Sequence, residues 1–157
     1  MWKKNKSYFL LVALFCFIFF NFANSFSDES IKFLSLKNEK VNLRSGPSFD
    51  HPIKLIYKKK YLPVVILDKF ETWREIKDFQ NNSGWIHVSQ LSKKKTAINI
   101  EKYAIIYKNS TIYSQPIAKL EIGRLVIIKK CKPTWCEIKT GDYKGWILKK
   151  YLWGKIK

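Results

Sequence analysis

Trp73-Arg74-Glu75-Ile76-Lys77 followed by Gly84-Trp85-Ile86, and Trp135-Cys136-Glu137-Ile138-Lys139 followed by Gly145-Trp146-Ile147, are two copies of one pattern. A tryptophan, an x-Glu-Ile-Lys segment, a polar turn and Gly-Trp-Ile recur at nearly the same internal distances, which makes the chain a tandem array. Trp73 and Trp135 lie 62 positions apart, and Gly84 and Gly145, Trp85 and Trp146, and Leu91 and Leu152 lie 61 apart. Upstream, Tyr61-Leu62-Pro63-Val64-Val65-Ile66 answers Gly123-Arg124-Leu125-Val126-Ile127-Ile128 at 62. Further up, Leu43-Arg44-Ser45-Gly46-Pro47 is matched with Ile112-Tyr113-Ser114-Gln115-Pro116 at 69, so the second copy is expected to be about seven residues shorter in one surface connection.

Both copies read as short strands. Residues 41–43, 62–67, 73–78 and 84–87 combine β-branched or aromatic residues with alternation, and Gly, Pro, Asn, Ser or Asp separates them. Asn81-Asn82-Ser83-Gly84 and Thr140-Gly141-Asp142-Tyr143-Lys144-Gly145 carry turn chemistry. No apolar period of three to four residues runs long enough for a helix outside the N-terminal leader. The fold class is therefore all-β: two small β-barrels in tandem, residues 36–100 and 101–157, after a short tether at 26–35. In units this small, large aromatics contribute much of the buried area, and Trp85 and Trp146, with Gly84 and Gly145, are expected to form the structural core. Trp73 and Trp135 follow turns and are expected to be half exposed. Between the copies, Ser92-Lys93-Lys94-Lys95-Thr96-Ala97-Ile98 reads as a linker or a locking strand, and the apolar Ala97-Ile98-Asn99-Ile100 favours a partly fixed junction.

Residues 1–25 have the pattern of a signal peptide. Lys3, Lys4 and Lys6 precede an almost wholly apolar run to Phe20, and Ala23-Asn24-Ser25 supplies small residues for cleavage after Ser25. The run is shorter than the roughly 20 residues a spanning helix needs, although an uncleaved N-terminal membrane anchor is the alternative. Cys16 lies inside this run without a small neighbour, unlike a lipoprotein attachment site. An exported chain keeps two cysteines, Cys131 and Cys136, placed to close a Pro-containing hairpin as a disulfide. A metal pair would need a second Cys/His pair that this copy lacks, and a redox dithiol would favour Cys-x-x-Cys.

The chain has 30 Lys+Arg against 12 Asp+Glu; without the leader's three lysines the balance is +15. In a periplasmic setting the anionic partners are envelope polymers, a membrane surface or an acidic protein rather than nucleic acid. The alternative is a solvated surface, because the lysines are scattered over strands and turns and charged edges discourage sheet-to-sheet pairing.

Val41-Asn42-Leu43-Arg44-Ser45-Gly46-Pro47-Ser48, then Trp73, then Gly84-Trp85-Ile86-His87-Val88-Ser89-Gln90-Leu91 resembles the bacterial SH3 (SH3b) domain, with its x-N-V/L-R-x-G-P opening and G-W-V-x-x-x-x-L end. The whole chain is similar to exported tandem SH3 domain proteins of alphaproteobacterial type. The resemblance implies SH3-like barrels and a non-catalytic envelope module that recognises cell-wall peptidoglycan or its stem peptides. A periplasmic adaptor for an extended segment of a partner protein is the second class. The candidate ligand-binding residues are Arg44, Ser45, Tyr57, Trp73 and His87. Gly46 is expected to hold a backbone conformation closed to other residues, and Arg44 to face a carboxylate of a partner or of Asp50 or Asp68. No nucleophile motif accompanies His51 or His87, and no cofactor or metal set is legible, so the chain is not expected to be an enzyme.

Overall fold

The computed structural model describes residues 31–156; the signal peptide expected at 1–25 lies outside the described residues. Two antiparallel seven-stranded sheets follow one another with the same topology. The first comprises β1 (Lys32–Leu36), β2 (Val41–Arg44), β3 (Ile53–Tyr57), β4 (Pro63–Phe70), β5 (Trp73–Lys77), β6 (Ser83–His87) and β7 (Leu91–Ser92). The second comprises β8 (Thr96–Asn99), β9 (Tyr103–Tyr107), β10 (Pro116–Glu121), β11 (Leu125–Cys131), β12 (Trp135–Thr140), β13 (Tyr143–Leu148) and β14 (Leu152–Gly154). Their orders are β3-β2-β6-β5-β4-β1-β7 and β10-β9-β13-β12-β11-β8-β14. Among the described residues no helix is long and apolar enough to cross a membrane.

Alternation along the strands builds each core. In β6, Gly84 and Ile86 are buried while Trp85 and His87 lie on the other face, as a period of two requires. The glycine is there because the strands cross: a Cβ on Gly84 would stand 2.5 Å from the Arg44 carbonyl oxygen, and one on Gly145 would stand 2.6 Å from that of Tyr107. With Ile86 and Ile147 fully buried, the tryptophans between them and the glycines must point outward. Trp85 and Trp146 are accordingly only partly buried, whereas Trp73 and Trp135 are buried, the reverse of the expected assignment. Gly84 and Gly145 are buried as expected.

Strand register also corrects the match between the copies. Arg44 faces Trp85 and Tyr107 faces Trp146, so β9 plays the part of β2 at an offset of 63. The backbone bonds closing the following loops, Ser45 N to Pro52 O and Lys108 N to Gln115 O, keep that offset. Ile112 and Tyr113 thus lie within the loop rather than in the opening strand, and the copies are nearly equal in length. Sequence identity misled because Ser-x-Pro recurs in the loop while the strand itself changed from Val-Asn-Leu-Arg to Tyr-Ala-Ile-Ile-Tyr.

The boundaries shift as well. Residues 32–35, assigned to a tether, belong to β1, which pairs with β4 and β7. Residues 96–99, assigned to the first copy, pair with β11 and β14 of the second sheet. Strand β8 is shared in a different sense: Ala97 packs in the second core and Ile98 in the first. Thr96 Oγ1 donates to the Tyr61 carbonyl at 2.8 Å, and Trp153 meets Phe33 edge-on at 5.0 Å. Leu125 also packs on the first core, so the barrels are joined through apolar contacts on both sides of β8.

Cys131 and Cys136 face each other across the β11–β12 hairpin and are disulfide-bonded. The short loop makes its entropic contribution small, about 2 kcal/mol. Reduction, or the Cys131→Ser/Cys136→Ser pair, is expected to lower stability by that amount in urea titration while the far-UV spectrum of the folded state persists. Loss of all strand signal on reduction would show instead that the hairpin cannot form without it.

Candidate binding site

The loop at residues 45–52 is held shut from within. Arg44, the last residue of β2, reaches over it: Nη1 donates to the carbonyls of Phe49 at 2.8 Å and His51 at 2.7 Å. Ser48 Oγ and His51 Nδ1 are hydrogen-bonded at 2.9 Å, and the Asp50 N–H donates to Ser48 Oγ at 3.1 Å. Arg44 therefore serves its own loop rather than a carboxylate. Gly46 is required for space, since a Cβ there would run into the His51 ring; it is not among the positive-φ residues, contrary to expectation.

The clamp sets Phe49 in the open. Its ring is 64% exposed yet packs edge-on against Trp73 at 4.9 Å, and it lies 5.6 Å from the His87 ring. Trp73 and His87 are cross-strand partners on β5 and β6, with ring centres 5.3 Å apart. Their stacking buries Trp73, which is why a residue following a turn is not half exposed. The Arg44 guanidinium carbon stands 5.7 Å from the centre of the Phe49 ring. His87 is fixed in turn, because its Nδ1 accepts from the Ser89 N–H and contacts Ser89 Oγ at 2.8 Å, capping the 3-10 turn Val88–Gln90. An exposed aromatic whose backbone and ring are both constrained loses little entropy on contact with a ligand.

Three of the five expected ligand residues, Arg44, Trp73 and His87, meet here. Ser45 is exposed at the base of the same loop and contributes its N–H to the Pro52 carbonyl. Tyr57 does not join them. It is buried, and its hydroxyl donates to Asp78 Oδ2 at 3.0 Å. Phe49 and His51 were not anticipated; the Gly-Pro turn marks their loop, but no periodicity tells which residue of a loop faces outward.

Burial first, then the charge of Asp78 and the hydrogen bond to it, hold the Tyr57 phenol well above its ordinary value of about 10. A folded value raised above the unfolded one contributes stability that is complete below pH about 10 and declines above it. Wild type should therefore lose stability more steeply than Tyr57→Phe as pH rises beyond 10. Denaturant titrations at pH 8 to 11 check this, and parallel curves would contradict it.

The bacterial SH3 domain pattern matches residues 37–93 and 101–154, most of the chain and both barrels. The chain belongs to the bacterial SH3 domain family. Among solved structures, NlpC2 from Trichomonas vaginalis aligns at 17% identity and a TM-score of 0.37 over 82% of this chain and 50% of that one. NlpC1 from the same organism aligns at 16% and 0.36, over 82% of this chain and 47% of that one. An NlpC/P60 family protein from Bacillus cereus aligns at 10% and 0.35, over 78% and 56%. The chain thus spans about half the length of these proteins. No curated protein matches it.

The two SH3 domains differ at this site. In the second, Tyr107 stands where the first has Arg44, and Leu148 pairs with Trp135 as His87 pairs with Trp73. Tyr107 meets Trp135 edge-on at 5.7 Å. The guanidinium clamp and the imidazole partner are thus both missing from the second SH3 domain.

Proposed function

We propose that the protein is an exported, non-catalytic binding module of the cell envelope, and that its first SH3 domain engages peptidoglycan or its stem peptides at the Phe49–Trp73–His87 surface. The observation that carries this reading is the exposed Phe49 ring, held by Trp73 and His87 beneath and by Arg44 through its loop. Aromatic faces of this kind pack against sugar rings and extended peptides, and removing one such anchor typically costs 1 to 2 kcal/mol. The signal-peptide pattern supports this reading, because an exported chain would meet that ligand. No group of three or more metal-ligating side chains occurs among the described residues, and the reading invokes no cofactor.

Co-sedimentation with purified sacculi tests it. The chain should pellet at low and high salt alike, because shape rather than charge supplies the contact; release by salt alone would contradict the aromatic site.

A second reading is a periplasmic adaptor. Edge strand β3 is open on one side and exposes Ile53, Leu55 and Ile56, a template for an added strand from a partner. An adaptor would capture a defined envelope protein and leave sacculi in the supernatant.

A further inference from the structure

Three lysine runs that are far apart in sequence come together on the second SH3 domain. The Ile128 N–H donates to the Lys95 carbonyl at 2.9 Å, laying the segment after β7 along β11. The Lys149 N–H donates to the Thr134 carbonyl at 2.9 Å, bringing the last turn against the disulfide hairpin. Between them lies a recess of about 420 Å³ lined by Lys95, Lys129, Lys130, Lys132 and Lys149, with Ile128, Pro133 and Ile156 supplying apolar wall and no acidic residue in the lining.

Charge compensation is sparse around it. The two ion pairs among the described residues both use Glu137, which holds Lys130 at 3.6 Å and Lys144 at 3.2 Å. Lys132 Nζ donates to Ser110 Oγ at 2.8 Å and stands 4.7 Å from the centre of the Trp146 ring, while Lys130 Nζ stands 5.5 Å from it. The outward tryptophan of the doubled motif is thus a platform for two ammonium groups in the second domain. Lys95, Lys129, Lys132 and Lys149 have no carboxylate within ion-pair distance among the described residues. Like charges gathered without counterions repel, and a bound anion relieves that repulsion.

The donor type narrows the anion. Lysine ammoniums are compact point charges without the planar fork that matches a carboxylate, whereas a phosphate spreads up to two charges over several acceptor oxygens that separate ammoniums can share. We propose that the recess is a phosphate-binding site, taking the phosphate of an envelope lipid head group or of a soluble phosphorylated glycan. It is separate from the Phe49 surface, so Phe49→Ala should bind phosphate as wild type does, and the two readings can fail independently.

The test uses the chain as the expressing cell processes it, with inorganic pyrophosphate as soluble probe and phosphatidylcholine vesicles with or without phosphatidylglycerol as lipid probe. Lys95→Gln/Lys129→Gln/Lys132→Gln is compared with Lys40→Gln/Lys58→Gln/Lys69→Gln, which removes the same charge from exposed positions of the first domain. At about fivefold per lysine, the recess variant should weaken binding about 100-fold and the control less than about threefold. Vesicle recruitment reversed by pyrophosphate assigns a lipid head group; pyrophosphate binding without recruitment assigns a soluble phosphate. Equal losses in the two variants, polyglutamate bound as tightly as pyrophosphate, or binding in neither arm would overturn the site. If circular dichroism shows the triple variant perturbed, Lys129→Gln alone is expected to lose about fivefold, and no loss would overturn the site equally.

Discussion

Asp78→Ala should lower the stability of the folded chain by about 4 kcal/mol, as much as truncating a large core side chain. Asp78 is 2% exposed and its carboxylate accepts four hydrogen bonds. Oδ1 takes the N–H groups of Gln80 and Asn82, each at 2.9 Å, and Oδ2 takes Asn82 Nδ2 at 2.8 Å and the Tyr57 hydroxyl at 3.0 Å. Truncation leaves the turn at 78–82 without its organiser and strands a buried phenol, whose unmet hydroxyl alone costs roughly 1 to 3 kcal/mol. Asp78→Asn separates these contributions. It keeps an acceptor for the two backbone donors but sets an amide N–H₂ against Asn82 Nδ2, so about half the loss is expected. Urea titration reads both variants, and a loss below about 1 kcal/mol for Asp78→Ala would show that solvent replaces the carboxylate, contrary to its burial.

Gly84→Ala should cost about 3 kcal/mol of stability and weaken ligand binding with it. The added methyl would meet the Arg44 carbonyl oxygen at 2.5 Å and Leu43 Cγ at 2.9 Å, so backbone rather than a flexible side chain has to move. Arg44 is where β2 pairs with β6 and also where the loop clamp originates, which couples barrel closure to the seating of Phe49. Gly141→Ala is the contrast: a Cβ there meets nothing within 4 Å, and its φ of +53° alone sets a cost of about 1 kcal/mol. Thermal melts of the two variants should differ in that order; equal melting temperatures would mean that the β2–β6 crossing is looser than its geometry.

Two patterns made strands legible in the sequence. Residues 41–43, 73–78 and 84–87 correspond to β2, β5 and β6, where apolar and polar residues alternate, and 62–67 corresponds to β4, a short continuous apolar run. Strand β3 was not assigned although Ile-Lys-Leu-Ile-Tyr is apolar at four of five positions; four of the five residues are exposed, so its apolar residues do not mark a buried face. Strand β8 was legible only as one of two readings, a linker or a locking strand: all four of its residues are buried, since both barrels cover it, so no alternation marks it. The doubled Gly-Trp-Ile identified the fold but not which tryptophan is core, because residue size favours burial of Trp85 while the glycine before it fixes the pleat the other way. At the candidate site, Arg44, Trp73 and His87 were visible as motif residues. Phe49 was not, since its exposure depends on hydrogen bonds from Arg44 to carbonyls, which leave no trace in residue type.

The two barrels share topology and core yet present different surfaces: an aromatic one clamped by Arg44 in the first, and a lysine-lined recess beside the disulfide in the second. The claim that the first is the peptidoglycan-binding domain rests on Phe49, whose equivalent at the same offset of 63 is Ile112, itself 56% exposed. Sacculus co-sedimentation of Phe49→Ala and Ile112→Ala, measured side by side with wild type, tests it most directly. Phe49→Ala should lose about tenfold in affinity and Ile112→Ala less than twofold. Equal retention by both variants, or a greater loss for Ile112→Ala, would contradict the account.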